Sequence, residues 1–354
     1  MVIVTNEIEK TVESLLIELE QAISEYLAIE EDIYNKANVV FKTSMSKGNQ
    51  LSTGWRYFHI LKQYIYEKLQ IPLHERILLG EITYCYGALV EIADDISDGQ
   101  FVWSVPFDIP LKHPRLTLAT QMWMTAKVLE DCYREYRRKK KWGIRIFSEK
   151  DIGEMQRAIF DHLFKMGAEV IKYEFIKGDI LPPSEIENGL INAEGGYHDQ
   201  MITVIMESLR VSSPFNIASM KENFRLFGVG IEMLADASDI IENIEDGRHN
   251  YFISFIHHCG TPEEKEILKK VLQGDPEKGF DPYHAFSVSL RLVRIKAYKL
   301  ILKGLWPYYS KLARLEKQRI KDFVLFYEPP LPFSEKRQSL KVEFYRQLEE
   351  RLGK

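Results

Sequence analysis

The chain has 354 residues, 45% of them hydrophobic and 28% charged, with a formal net charge of −5. That composition excludes a disordered chain, and the acidic balance argues against a nucleic-acid binder, which carries a basic excess. Its three cysteines, Cys85, Cys132 and Cys259, have no CxxC spacing, so they give neither a zinc site nor a disulfide framework and fit a reducing compartment.

Helical periodicity predicts helices over 6–45, 51–70, 74–98, 115–141, 149–177, 185–210, 217–246, 262–273, 283–325 and 334–351. The second-last of these is expected to break near Trp306-Pro307, and Ser184 is the expected N-cap of the helix at 185. No strand series, repeat or low-complexity linker interrupts them. The expectation is an all-α bundle of about ten helices forming a single domain over 1–354, with an N-terminal helix in 1–48, a core over 50–325 and a C-terminal helix over 334–351. No apolar run reaches the ~18 residues of a membrane helix, and the N-terminus lacks a signal-peptide pattern. A cytoplasmic protein without stable membrane anchoring is expected.

The helix ending at 98 closes on Glu91-Ile-Ala-Asp94-Asp95-Ile-Ser-Asp98, followed by Gly99, a residue that suits a helix stop. A helix C-terminus carries partial negative charge, and a carboxylate there costs roughly 0.3–1 kcal/mol. A cation on the cluster offsets that cost. Asp94 and Asp98 share a face, and hard oxygen ligands of this kind suit Mg²⁺ held together with substrate phosphates.

A second acidic segment follows at Glu232, Asp236, Asp239, Asn243 and Asp246. On one continuous helix these fall within roughly 80° of one another. No Lys or Arg occurs between Arg225 and Arg248, so the i,i+4 compensation usual on a surface helix is missing. Two facing carboxylate helices in a bundle could hold metal ions around a diphosphate. A di-iron bundle would need paired Glu-x-x-His motifs, and the chain has none.

These motifs resemble those of the isoprenyl diphosphate synthase and class I terpene synthase superfamily. Asp94-Asp95-Ile-Ser-Asp98 is similar to its first motif, DDxxD. The run from Phe227 through Ala235-Asp236-Ala-Ser-Asp239 is similar to the second, G-x-x-F-Q-x-x-D-D-x-x-D, and Asp246-Gly-Arg248-His249-Asn-Tyr-Phe to the GKxTxP stretch that follows. The likeness spans residues 50–325. It implies an isoprenoid synthase-like fold with a central metal and diphosphate cavity, and three Mg²⁺ ions, for which Mn²⁺ can substitute. Asp94, Asp98, Asp236 and Asp239 would be metal ligands, helped by Glu232 or Asn243, with Asp95 orienting them. Arg248, with Arg56 and His249, would contact the diphosphate of an allylic substrate. The superfamily commonly dimerises, so a homodimer is one expectation.

The departures carry their own information. Ala235 stands where the second motif has its first Asp, and Glu232 where it has Gln. Elongating synthases carry Gly-Lys-x-x-Arg-Pro where this chain has Gly54-Trp55-Arg56-Tyr57-Phe58-His59. They carry an Arg-Arg pair after the first motif, where Gly99 to Ser104 has no base, and a Lys-Thr near His198-Asp199-Gln200. Those bases grip the diphosphate of isopentenyl diphosphate, an anion that needs several fixed cations. Aromatic rings such as Trp55 and Phe58 instead stabilise carbocations. Leu89 and Val90, before Asp94, leave the chain-length pocket open, and Tyr86 lies one turn further back, which allows a C15 to C25 substrate. The first expectation is therefore a terpene synthase that ionises an allylic diphosphate, the diphosphate itself taking the final proton. The alternatives are a chain-elongating synthase, or a partner-dependent subunit or peptide prenyltransferase.

Overall fold

A computed structural model describes residues 2–41, 51–98, 101, 103–107, 113–138, 149–173, 179–208, 215–275, 280–305, 307 and 343–353. Among these the chain is all-α, with no β-strand. No helix of the described residues is long and apolar enough to cross a membrane. The contacts divide the chain into two compact units, one of residues 1–154, 209–214 and 330–354, the other of 155–208 and 215–329.

The first unit packs α1 (Val2–Phe41), α2 (Thr53–Lys68), α3 (Leu73–Asp98) and α4 (Pro114–Arg138) against one another. Leu16, Leu19, Ile60, Leu79 and Ile82 fill its core. The N-terminal helix also supplies a ladder of buried charge. Glu25 takes the guanidinium of Arg76, and Glu30 takes that of Arg56 at 3.2 Å and the hydroxyl of Tyr26 at 3.1 Å. Lys36 reaches Glu81 on α3 at 3.1 Å, Glu135 on α4 at 2.9 Å, and Asp32 on its own helix. Burial disfavours that ammonium, yet Glu81 and its neighbours hold Lys36 above the ordinary lysine range. Each pair answers a charge that burial would otherwise leave costly, so α1 is tied to α2, α3 and α4. A C-terminal helical segment, 343–351, returns to this unit: Phe344 packs edge-on to Tyr57 at 5.0 Å, and Arg351 pairs with Glu13 at 2.8 Å.

The second unit centres on α8 (Ile217–Ser238), which packs against a π-helix (Glu187–Tyr197), α7 (His198–Ser208) and α13 (Ser287–Leu305). The remaining elements are α5 (Glu149–Tyr173), which begins in the first unit, α6 (Pro183–Ile186), α9 (Ile240–Asp246), α10 (Tyr251–Cys259), α11 (Pro262–Leu272) and α12 (Pro282–Ala285). Glycines set the distances around α8. A Cβ at Gly228 would stand 2.0 Å from the carbonyl oxygen of Gly195 and 2.4 Å from a carboxylate oxygen of Asp199. On the other side, a Cβ at Gly230 would stand 2.7 Å from the carbonyl oxygen of Ala297. Only a residue without a side chain permits backbones this close.

The expected helix over 185–210 is three pieces in the structure. It begins at Pro183 with Pro182 as N-cap, not at Ser184, because proline is well placed in a first turn that has no use for its missing N–H. It then widens into the π-helix, a rare form, whose Gly189 lies under the ring of Tyr173 and whose Gly195 lies on Gly228. The expected helix over 217–246 breaks at Asp239 into α8 and α9. The side chain of Asn250 donates to the carbonyl of Asp236 at 2.8 Å, the group that would accept from Ile240 in a continuous helix. Helix α10 was not expected; it starts from Asn250, whose side chain accepts from the N–H of Ile253. The expected helix over 283–325 appears as α12 and α13, ending at Leu305 beside the expected break; residues 308–342 and 42–45 lie outside the described residues.

Gly228→Ala is expected to destabilise the protein by about 1–3 kcal/mol through overpacking, read as a fall in the urea midpoint. Lys36→Met, which leaves three carboxylates around an apolar side chain, is expected to cost roughly 3 kcal/mol in the same measurement.

Candidate functional site

In the first unit the acidic cluster is the C-terminal end of α3. Its last turn has no basic residue. Asp94 is exposed and Asp95 buried, while the side chain of Asp98 lies outside the described residues. Burial, and then the charges of Asp94 and Asp95, push the carboxyl of Glu91 up to about 7; the ammonium of Lys62 pulls against them. Burial disfavours the charged form of Glu91, and the neighbouring carboxylates add to it, so the group favours a proton.

The aromatic face of α2 packs on α3 at Tyr84 and Gly87, upstream of this cluster. Trp55 meets His59 edge-on at 4.5 Å, and His59 stacks on Tyr84 of α3 at 4.5 Å. Gly87 admits them: a Cβ there would touch His59 and Trp55, each at 3.4 Å. Phe58 lies under the ammonium of Lys62, 4.0 Å from the ring centroid. Lys62 was not among the residues expected from the sequence. Its signal was available: Trp55, Phe58 and Lys62 recur at helical spacing on one face of α2.

Other expected residues of this unit have settled partners. Arg56 is 3% exposed and its guanidinium lies on Glu30. Tyr86 is buried with its hydroxyl 2.7 Å from that of Tyr133 on α4. Leu89 and Val90 are half-buried on α3. The carboxylates of Asp32, Glu81 and Glu135 have metal-like spacing, with oxygens within 4.8 Å of one another, but the ammonium of Lys36 already bonds to all three.

In the second unit Asp236 sits near the end of α8 and accepts the backbone N–H of Tyr251, at the start of α10, at 2.5 Å. That bond favours the carboxylate, but burial outweighs it and, with the charge of Asp239, pushes Asp236 up to about 7. Burial and Glu242 raise Asp239 as well, although its side chain is exposed at the break between α8 and α9. Asn243 accepts from the side chain of Asn250 at 3.2 Å, so it holds the corner that shapes Asp236. The side chain of Glu232 packs at Gly195 of the π-helix. Arg248 pairs with Asp246 at 3.4 Å. His249 is buried, and burial lowers its pKa against the pull of Glu185. The break at Asp239 means that the five-residue stripe is not one helical face: Glu232 and Asp236 share α8, whereas Asn243 and Asp246 belong to α9.

No protein-family model matches the chain, and no curated protein matches it at a significant level. Solved structures do. A decaprenyl diphosphate synthase from Rhodobacter capsulatus superposes with a TM-score of 0.56 at 11% identity, covering 89% of this chain and 99% of that one. The geranylgeranyl pyrophosphate synthetase of the archaeon Geoglobus acetivorans gives 0.52 at 14% identity, over 90% and 99%. That of Pyrococcus horikoshii gives 0.51 at 11% identity, over 89% and 98%. The chain has the isoprenyl diphosphate synthase fold. The fold expected from the two aspartate motifs is therefore the one present, at an identity too low for sequence comparison to detect.

The raised carboxyls have a consequence for stability. The folded pKa of Asp236 lies above the ~4 of an unfolded aspartate, so the native state holds a proton that the unfolded state has released. That contribution is present at low pH and is lost as pH rises through about 7. Asp236→Asn keeps an acceptor for Tyr251 and removes the titration. In melting curves of metal-free protein from about pH 3 to about pH 8, a range spanning those two pKa values, the variant is expected to gain stability relative to the parent as pH rises. Parallel curves for the two proteins would refute the assignment.

Proposed function

We propose that this chain is an Mg²⁺-dependent prenyltransferase that joins an allylic prenyl diphosphate to isopentenyl diphosphate. The observation that carries the reading is the acidic end of α3, where burial, and then the charges of Asp94 and Asp95, raise Glu91 to about 7 and the cation of Lys62 stands within electrostatic reach. The fold shared with geranylgeranyl and decaprenyl synthases supports it.

The donor set suits a hard cation: carboxylate oxygens, uncompensated by any base in the last turn of α3 or of α8. Asp94 and Asp98 would hold Mg²⁺ on α3, with Asp95 orienting them; Asp236, Asp239 and Glu232 would hold it on α8. Bound there, Mg²⁺ supplies Lewis-acid neutralisation of a diphosphate leaving group. Arg248 and His249 would add contacts to that diphosphate. Lys62 supplies on α2 a cation that the Gly54 to His59 segment lacks, beyond Arg56, which is engaged with Glu30. The aromatic face of Trp55 and Phe58 would shield the allylic cation from water and stabilise it. The new carbon–carbon bond forms as the allylic carbon–oxygen bond breaks, and the released diphosphate takes the proton lost from the isopentenyl carbon.

A second reading, a terpene synthase that needs no isopentenyl diphosphate, is favoured by Arg56: its buried pairing with Glu30 leaves the α2 segment short of bases. Incubating purified protein and Mg²⁺ with C15 to C25 allylic diphosphates, singly and with isopentenyl diphosphate, decides between them. Longer diphosphates only in the presence of isopentenyl diphosphate are expected. A hydrocarbon or alcohol from one allylic substrate alone would establish the second reading, and no turnover would point to a missing partner chain. Asp94→Ala is expected to lower diphosphate release by about 10²–10³-fold, with an unchanged or higher melting temperature because a misplaced charge is removed.

A further inference from the structure

Helices α3 and α4 run antiparallel, and three contacts fix their register. The carboxylate oxygens of Glu81 and Glu135 lie within 4.8 Å of each other. The thiols of Cys85 and Cys132 lie within hydrogen-bond reach, and the hydroxyls of Tyr86 and Tyr133 are 2.7 Å apart. As the residue number rises along α3, that of its partner on α4 falls. Steps of three and four residues continue the same seam, setting Ala88 against Val128, Ile92 against Thr125, and Asp95 against Gln121. All six are buried. The register therefore carries the seam to the acidic end of α3, where its last rung sets a carboxylate opposite a primary amide.

Gln121 stands out in that seam. It is 0% exposed, yet neither its amide nitrogen nor its amide oxygen has a hydrogen-bond partner. Burying both atoms unpaired is costly. The neighbouring rungs give it no relief. The hydroxyl of Thr125 donates to the backbone carbonyl of Gln121 at 2.7 Å, and Ala88, Ile92 and Val128 carry no polar side-chain atom. Asp95 is the polar group that the register brings opposite. At 6% exposed it is nearly as cut off from bulk solvent as the amide, and buried polar groups that the protein does not satisfy are met by ordered water.

We propose that Gln121 is a positioning residue for the carboxylates of α3, holding Asp95 through one buried water. The amide nitrogen donates to the water, and the water donates to the carboxylate. That link turns Asp95 toward α4 and leaves Asp94, one residue earlier and exposed, to face the metal ion together with Asp98. A partner of this kind, outside the ligands themselves, sets the orientation of a metal-binding cluster. The inference rests on the Mg²⁺ reading of that cluster and extends it to a residue outside both aspartate motifs.

Mn²⁺ alone, whose free ion is read by electron paramagnetic resonance, is the probe. It is titrated into full chains carrying Asp236→Asn, so that the first cluster carries the signal. Gln121→Met, which keeps the length of the side chain without its amide, is expected to weaken Mn²⁺ binding about 10-fold, with no loss of melting temperature in the metal-free chain. Gln121→Leu, of different shape, is expected to do the same. Adding Gln121→Met to Asp95→Ala is expected to cause no further weakening, because the amide acts through that carboxylate. A merely structural role would instead lower the melting temperature and leave the affinity alone. A crystal structure is expected to show one ordered water within hydrogen-bond distance of both side chains. Unchanged Mn²⁺ affinity in both Gln121 variants, full additivity with Asp95→Ala, or no water between the two groups would overturn the inference and leave the Mg²⁺ reading in place. A chain that binds no Mn²⁺, or binds it equally after Asp94→Ala, would overturn the Mg²⁺ reading and the inference with it.

Discussion

Carboxylates at the C-terminal ends of helices are the constraint around which this chain is organised. A helix end already bears partial negative charge, yet α3 finishes on Asp94, Asp95 and Asp98, and α8 on Asp236 with Asp239 at its cap, with no base in either last turn. The two ends answer the same problem differently. At α3 burial, and then the charges of Asp94 and Asp95, push Glu91 up, and Lys62 on the neighbouring helix pulls against them. At α8 the chain breaks: Asn250 takes the carbonyl of Asp236, and the start of α10 gives an N–H to its carboxylate. A helix start thus faces a helix end, and the positive pole of one offsets the charge of the other. Both carboxyls remain raised to about 7, with burial the largest cause at each and neighbouring carboxylates adding to it.

Positioning those ends depends on close packing elsewhere. Gly228 and Gly230 let α8 lie against the π-helix on one side and α13 on the other, and so set where Glu232 and Asp236 stand. In the first unit α1 does comparable work with charge. Its Glu25, Glu30 and Lys36 pair with groups on α2, α3 and α4, which fixes α3 while keeping those charges paired and buried. The carboxylates around Lys36 show that metal-like spacing alone does not make a metal site: the lysine already supplies the cation.

Arg56 and Lys62 illustrate how tertiary pairing redistributes function. Arg56 falls in the segment where elongating synthases keep their bases, but Glu30 holds it in the core. Lys62, two turns on along α2, carries its charge toward Glu91 from above the ring of Phe58. Counting bases by motif therefore misses a cation that tertiary position brings within electrostatic reach of the first acidic cluster. The aromatic face of α2 would serve either proposed chemistry, because shielding an allylic cation is common to both.

The helical periods, the proline positions and the two aspartate motifs determined the all-α class, most helix boundaries and the identity of both acidic clusters, because each depends on residues a few positions apart. The rest was decided by contacts between segments distant in sequence. The π-helix exists where Gly195 meets Gly228; the break at Asp239 exists because Asn250 reaches the carbonyl of Asp236; helix α10 starts where that same asparagine caps it. Which cation is engaged in the core and which stands near the carboxylates depended on Glu30 in α1 meeting Arg56 in α2. Such choices follow from the competition of buried groups for partners, and no local spacing encodes its outcome.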